Sequence, residues 1–345
     1  MILVTGGDGF IGSHFIEHAL STTSHEMVCI CSWRHDGIPE RISQSEYYKK
    51  TPERVRFITH DLTAPLSRIS QEALAHVEHV VHFAADSNVD RSIIQPAEVI
   101  ENNVKVTLNL LEWARSVSGL KSFIQISTDE VYGAAFDDYH HKEWDPIIPS
   151  NPYSASKACQ EAIAISYWRT FGVPVVITNT MNNIGEKQHP DKFFPMIIRS
   201  LRDGKVIPIH SVDGVVGSRF YLHARNHADA LLAIIERSSE IPNYPAPGRV
   251  PPYDERPLRL NVVGDREISN LELVDMIADI MNTDAKFKLV DAHSSRPGHD
   301  LRYALDGFKI AQWGWEAPVS FEESLKRTVN WYLENMSWLD LPTVK

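Results

Sequence analysis

Thr128, Asp129 and Glu130 put a hydroxyl and two adjacent carboxylates directly after an apolar-rich run, residues 123–127, that reads as a buried strand. Ionisable groups at such a point lie where α/β sheets receive ligands, in the crevice beyond the carboxyl ends of the strands. Two adjoining carboxyls can serve as acid and base if their surroundings push their pKa values apart. A second constellation follows about twenty-five residues later, where Tyr153 and Lys157 open a helix and share one of its faces. A cation beside a phenol stabilises the phenolate and lowers its pKa from about 10, which makes it usable as a base. Each constellation alone has a plainer reading. Asp129-Glu130 would suit a solvated loop, and Tyr153 an ordinary helix start entered through Asn151 and Pro152.

The elements that would position these groups begin at the first residues. Residues 2–4 read as a short buried strand, followed by Thr5-Gly6-Gly7-Asp8-Gly9-Phe10-Ile11-Gly12. Phe10, Ile11, Phe15, Ile16, Ala19 and Leu20 then recur at helical spacing. Strand, glycine turn and helix form the context of a phosphate-binding loop. Gly6 permits the tight turn, Gly9 the approach of a pyrophosphate, and Gly12 the packing of the helix whose N-terminus faces the anion. Residues 27–31 form a second strand. An acid shortly after it would bind the ribose hydroxyls of NAD, and an arginine the phosphate of NADP. Ser32 stands there, with Arg34 and Arg41 beyond, so the local chemistry leans to NADP unless Arg34 is merely solvated. Further strands are expected at 55–58 and 77–83. The latter ends at Ala84 and Ala85, small enough for a dinucleotide to lie against the backbone. A long helix is expected at 97–116. The polar loop 134–152 carries His140, His141, Glu143 and Asp145, but nothing in their spacing fixes a metal geometry, and no metal is expected.

Composition narrows the class. The 345 residues suffice for one large or two joined domains, and a net charge of −11 argues against a nucleic-acid binder with a basic surface. Cys29, Cys31 and Cys159 offer no disulfide framework, and strand alternation is expected to send Cys29 and Cys31 to opposite faces. A reducing cytoplasm fits. The N-terminal residues lack the pattern of a signal peptide, and no apolar run reaches membrane-spanning length.

Ser127-Thr128, Tyr153 and Lys157, with the Gly6-x-x-Gly9-x-x-Gly12 loop preceded by Thr5 and containing Phe10, resemble the extended short-chain dehydrogenase/reductase superfamily. Asp129-Glu130 after Thr128 resembles the NDP-hexose 4,6-dehydratases, particularly those of the dTDP-glucose type. The similarity continues through residues 82–92, 178–185, 190–195, 296–306 and 331–335. It implies that Tyr153, assisted by Lys157, removes the sugar 4-hydroxyl proton while hydride passes from C4 to the nicotinamide. Thr128 hydrogen-bonds near that oxygen. Glu130 then takes the C5 proton, Asp129 protonates the departing 6-hydroxyl, and hydride returns to C6. A general acid must hold its proton, so Asp129 is expected to be kept protonated by burial and by its carboxylate neighbour. The resemblance also implies a bound NAD regenerated each turnover, an adenine bordered by Asp61 and Leu62, and a homodimer through two long helices. Ser87, Asn88, Arg91, Asn182, Asn183, Lys192, Arg219, Asn261, Arg296 and His299 are implied contacts of the nucleotide-diphosphate hexose. Ser32, Asn88, Met181, Phe220-Tyr221 and Arg225-Asn226 depart from the family pattern. They leave NAD against NADP open, and UDP-glucose, UDP-N-acetylglucosamine or another activated hexose as alternatives to the dTDP sugar. A nucleotide-sugar epimerase, a UDP-glucuronate decarboxylase and a non-catalytic dinucleotide sensor are the competing functions.

The expected fold is α/β: a Rossmann-type doubly wound parallel sheet with a smaller, discontinuous C-terminal substrate-binding domain. The dinucleotide domain is assigned to residues 1–178 with a returning segment near 218–240. Residues 179–217 and 241–345 are assigned mainly to the sugar-nucleotide domain. Strands are expected at 173–178 and 258–263, helices at 153–171, 193–202, 223–236, 270–281 and 322–335, and an irregular proline-rich excursion at 241–257.

Overall fold

Seven apolar segments line up as one parallel sheet. Its strands include β1 (Ile2–Thr5), β2 (Met27–Cys31), β3 (Val55–Thr59), β4 (His79–His82), β5 (Ser122–Thr128) and β6 (Val175–Thr180). The seventh strand is Leu258–Val262, and the order runs from it through β6, β5, β4, β1 and β2 to β3. In the computed structural model, residues 1–34, 37–241, 255–291, 298 and 300–342 are described. β1, β2, β4, β5 and β6 are buried throughout, as expected of strands covered on both faces. The order reverses direction at β1, with β2 on one side and β4 on the other. That switch opens the crevice where doubly wound sheets take ligands.

Helix α1 (Phe10–Thr22) and the Ala224–Glu236 helix cover one face through Phe15, Ile16, Leu231 and Ile235. The helices Pro96–Ala114 and Pro152–Phe171 cover the other through Leu110, Leu111, Trp113, Ala164 and Trp168. These two long helices are sewn together by polar contacts. Gln160 Nε2 donates to Thr107 Oγ1 at 2.7 Å and to the Asn103 carbonyl at 2.9 Å, and Asn103 Nδ2 donates to Ser156 Oγ at 2.8 Å.

A second core lies over the carboxyl ends of the strands. Phe194, Ile197 and Ile198 of the Phe193–Arg202 helix meet Leu273 and Ile277 of the Asn270–Met281 helix and Leu325, Val329 and Tyr332 of the Phe321–Glu334 helix. The boundary expected at residue 241 is crossed, however. Leu258–Val262 pairs with β6 in the main sheet, and Ile310 and Trp315 pack in the same core as α1. The apolar run Leu258, Leu260 and Val262 gains more burial by extending the sheet than a short excursion lobe could offer. Most of the expected irregular stretch 241–257 lies outside the described residues. Cys29 and Cys31 share one face, with their Sγ atoms 3.2 Å apart, so the opposite-face expectation fails. A strand repeats every two residues, which returns residue i+2 to the side of residue i. Among the described residues, no helix is long and apolar enough to cross a membrane.

Candidate active site

The site assembles on β5. Thr128 ends that strand and caps the 3₁₀ turn Asp129–Tyr132. Its Oγ1 donates to Asp129 Oδ1 at 2.8 Å, and the Glu130 N–H donates to the same carboxyl oxygen at 3.0 Å. Asp129 is buried, and its Oδ2 has no hydrogen-bond partner. Burial, then the charge of Glu130, pushes the Asp129 carboxyl up to about 7. The expectation that Asp129 holds a proton thus rests on a visible cause, desolvation reinforced by the Glu130 charge and only partly offset by Thr128 and the charge of Arg219. Glu130 is half-buried, and its Oε2 accepts from Asn151 Nδ2 at 3.0 Å. One turn of 3₁₀ helix therefore gives adjacent carboxyls different surroundings.

Asn151 also starts the helix that carries the second constellation. Its Oδ1 accepts from Ser154 N at 2.8 Å in a capping box. Tyr153 and Lys157 follow on one face, and both line the same cavity as Thr128, Asp129 and Glu130. Their electrostatics differ from the simple cation–phenol pairing. Burial, followed by the charges of Glu130 and Asp129, pushes the Tyr153 phenol well above its ordinary range. Burial lowers Lys157 to about 8. Burial is the larger cause at both groups; after it the phenol responds to the two carboxyls and Lys157 to Glu161.

The cavity, about 690 Å³, runs from this point to the glycine loop. Gly6 adopts φ +68°, and a Cβ there would lie 3.0 Å from the Ala84 nitrogen. A Cβ on Gly12 would lie 2.3 Å from the Gly6 carbonyl, so this glycine packs α1 against the loop itself rather than against a strand. The α1 N-terminus has no side-chain cap, and Gly9, Phe10, Ile11 and Gly12 line the cavity. Uncapped helix N–H groups beside a glycine cradle fit a pyrophosphate. Thr5 Oγ1 ties the loop to β4 through His82 Nδ1 at 2.7 Å and accepts from Ala84 N at 3.2 Å.

Residues 3–328 match the family model for GDP-mannose 4,6 dehydratase. The dTDP-glucose 4,6-dehydratase 1 of Escherichia coli K12 is 33% identical over 362 aligned positions, covering 98% of this chain and 94% of that enzyme. The dTDP-glucose 4,6-dehydratase of Neisseria meningitidis serogroup B is 35% identical with the same coverages. The crystal structure of the Streptomyces venezuelae dTDP-glucose 4,6-dehydratase DesIV, with NAD bound, matches at TM-score 0.83 and 34% identity over 98% of each chain. The chain belongs to the NDP-hexose 4,6-dehydratase family. It is accordingly an enzyme of the hydro-lyase type, built on the extended short-chain dehydrogenase/reductase fold.

Most of the dehydratase-like positions converge on the one cavity. Ser32, Arg34, Asp61, Leu62, Ala84 and Ala85 line it together with the glycine loop, and Ser87, Asn88, Asn182, Asn183, Lys192 and Arg219 also line it. Arg34, however, forms an ion pair with Asp61, and Arg41 is buried, donating to the carbonyls of Asp8 and Lys187 at 3.1 and 3.0 Å. Arg219 is engaged with backbone. It donates to the carbonyls of Ser218, Leu301 and Asp300 and stacks on Tyr303, holding residues 300–303 beside the cavity. Asn88 Oδ1 caps the Val89–Ile94 helix, accepting from Arg91 N at 2.9 Å. Asn183 Nδ2 donates to the Met181 carbonyl at 2.9 Å.

Two expected contacts stand elsewhere. Arg91 is not among the cavity-lining residues; it pairs with Asp86 at 3.1 Å and Glu98 at 3.8 Å. Asn261 is fully buried beneath the site and donates to the carbonyls of His141 and Asp306 at 3.0 and 3.2 Å. It sits near the end of the seventh strand, where its side chain is held by the backbone of residues 141 and 306. Arg296 and His299 lie outside the described residues. The polar loop 134–152 is pinned by its own polar groups. His141 pairs with Asp145 at 3.4 Å and stacks on Tyr132, and Glu143 Oε1 accepts from Asn261 N at 3.3 Å. Sequence reasoning overlooked Asn151 as the partner of Glu130 and Tyr303 as a cavity wall. The Asn-Pro pair before Tyr153 was the available signal for the first; nothing local marked the second.

Proposed function

We propose that this cavity binds a nucleotide-diphosphate hexose beside a dinucleotide of the NAD type and removes water across C5 and C6 of the sugar. The observation that carries the proposal is the buried, partnerless Asp129 Oδ2 adjoining the half-buried Glu130, on the same cavity as Tyr153. An epimerase has no use for a carboxyl held neutral beside an ionisable one; an elimination needs both. Tyr153 would accept the 4-hydroxyl proton once the positive charge of a bound dinucleotide, with Lys157, brings its raised phenol pKa down, and Thr128 would hydrogen-bond near that oxygen by turning its hydroxyl from Asp129. The resulting 4-ketone acidifies the C5 proton, which Glu130 takes, with Asn151 holding its orientation. Asp129 delivers its proton to the departing 6-hydroxyl. The glycine cradle, Ala84-Ala85 and Lys157 would hold the dinucleotide, which when bound supplies a reversible hydride acceptor and a positive charge. NAD is the form found in the Streptomyces venezuelae relative, and the pairing of Arg34 with Asp61 supports NAD over the NADP that Arg34 alone suggested.

Lys192 and Arg219 supply positive charge to the cavity that would take the diphosphate. The three cysteines are free, which supports a reducing compartment. A homodimer through the Pro96–Ala114 and Pro152–Phe171 helices rests on the family resemblance. The test of the function is incubation with a panel of dTDP-, UDP- and GDP-hexoses followed by mass spectrometry. The expected product has lost one water and retains a 4-keto group. Release of carbon dioxide, or a product isobaric with its substrate, would overturn the assignment.

A further inference from the structure

The end of β2 carries no acid for the ribose hydroxyls, yet an acid stands there in space. Asp8, from the middle of the glycine loop, is 5% exposed and lines the cavity with Ser32, Arg34 and Gly37. Burial pushes its carboxyl up from the usual range, against lowering interactions with the Cys31 side chain and the Trp33 backbone, so it lies beside the residues that follow β2. Cys31 and Trp33 flank Ser32, so the carboxylate occupies the place from which a residue following β2 would act. The backbone is bent to suit it. Trp33 sits at φ +55°, a left-handed conformation costly for a bulky side chain. Gly37 supplies the space, since a Cβ there would lie 2.2 Å from Asp8 Oδ2.

We infer that Asp8 is the specificity-determining acid of the dinucleotide site, binding the adenosine ribose hydroxyls and excluding a 2′-phosphate. The inference rests on the proposed binding of an NAD-type dinucleotide and deepens it by naming the residue that selects among its forms. A phosphate placed beside Asp8 would meet like charge in a mostly desolvated corner. Arg34 is paired with Asp61, and Arg41, which donates to two backbone carbonyls, offsets that repulsion only in part with its charge. Asp8 thus takes over, from the loop between β1 and α1, a role that the residues 31–34 do not fill.

The test is calorimetric titration of the full chain, freed of dinucleotide, with NAD and with NADP in the absence of any sugar nucleotide. The unaltered protein is expected to bind NAD more tightly. Asp8→Asn keeps the shape, removes the charge and is expected to narrow the ratio of the two dissociation constants about tenfold. Asp8→Ser, which also removes the charge, serves as the second variant, and thermal unfolding without dinucleotide verifies that each is folded. Arg34→Ala is expected to keep the preference for NAD. An NADP preference in the unaltered protein would overturn the NAD reading itself. An NAD preference that survives unchanged in both Asp8 variants would leave that reading standing and overturn the role of Asp8 alone.

Discussion

Two buried carboxyls flank the end of β5 in opposite circumstances. Asp129 faces the cavity with one oxygen lacking any partner. Glu161, behind the strand, is fully enclosed and saturated: Arg259 forms an ion pair with it, Ser127 Oγ donates to it at 2.5 Å and Asn179 Nδ2 at 2.8 Å. Arg259 in turn donates to the Glu143 carbonyl at 2.9 Å, and Asn179 also donates to the Thr128 carbonyl at 3.0 Å. The rear network thereby ties β5, β6, the seventh strand and the Tyr153 helix into one rigid block. Burial alone does not decide what a carboxyl does; the supply of donors does. Where donors converge, the carboxyl holds structure. Where they are withheld, it is left with a raised pKa and a proton to give.

The comparison can be broken most sharply at Asp129. Asp129→Asn preserves shape but removes the acid. It is expected to slow elimination by about 10²–10⁴-fold while leaving dinucleotide binding intact. Product formation followed by mass, beside a binding titration, checks both halves; unchanged dehydration would refute the assigned role. At Glu161 the balance should invert. Glu161→Gln strands the Arg259 guanidinium in the interior and is expected to cost about 3–5 kcal/mol of stability. Denaturant midpoints measure this, and a cost near zero would show that the rear network is not what holds the block together.

The smallest effect sharpens the same contrast through pH. The Asp129 carboxyl sits at about 7 in the fold, above its value of about 3.9 in an unfolded chain. Between those values the folded state holds a proton that the unfolded state has lost. Asp129 therefore reduces stability as pH rises from about 4 to about 7, by a few kcal/mol at most, and contributes no slope outside that window. Asp129→Asn is expected to flatten this decline in unfolding midpoints measured across it. In the unaltered enzyme, elimination should weaken as pH climbs past about 7, where the acid loses its proton.

Much of the site was legible because short-range rules govern it. Strand, glycine turn and helix locate the cradle; residues four apart share a helix face; a Thr-Asp-Glu run after an apolar strand marks a ligand crevice. The boundaries of the long helices and of the central strands follow from periodicity within a few residues. Pairings between distant segments were not legible. Nothing near Arg259 in sequence announces Glu161, and nothing near Arg34 announces that Asp61 will neutralise it.

The sequence by itself determined the doubly wound class, the glycine cradle and the identity of the titratable groups that meet in the cavity, since each depends on residue type and spacing along one segment. Only the tertiary structure decided what each group is free to do. It left Asp129 Oδ2 buried without a hydrogen-bond partner, occupied Arg91 and Asn261 elsewhere, returned residues 258–262 to the main sheet and brought Asp8 to the end of β2. Those outcomes depend on which donors and charges meet across the fold, and the local pattern of a chain does not encode that directly.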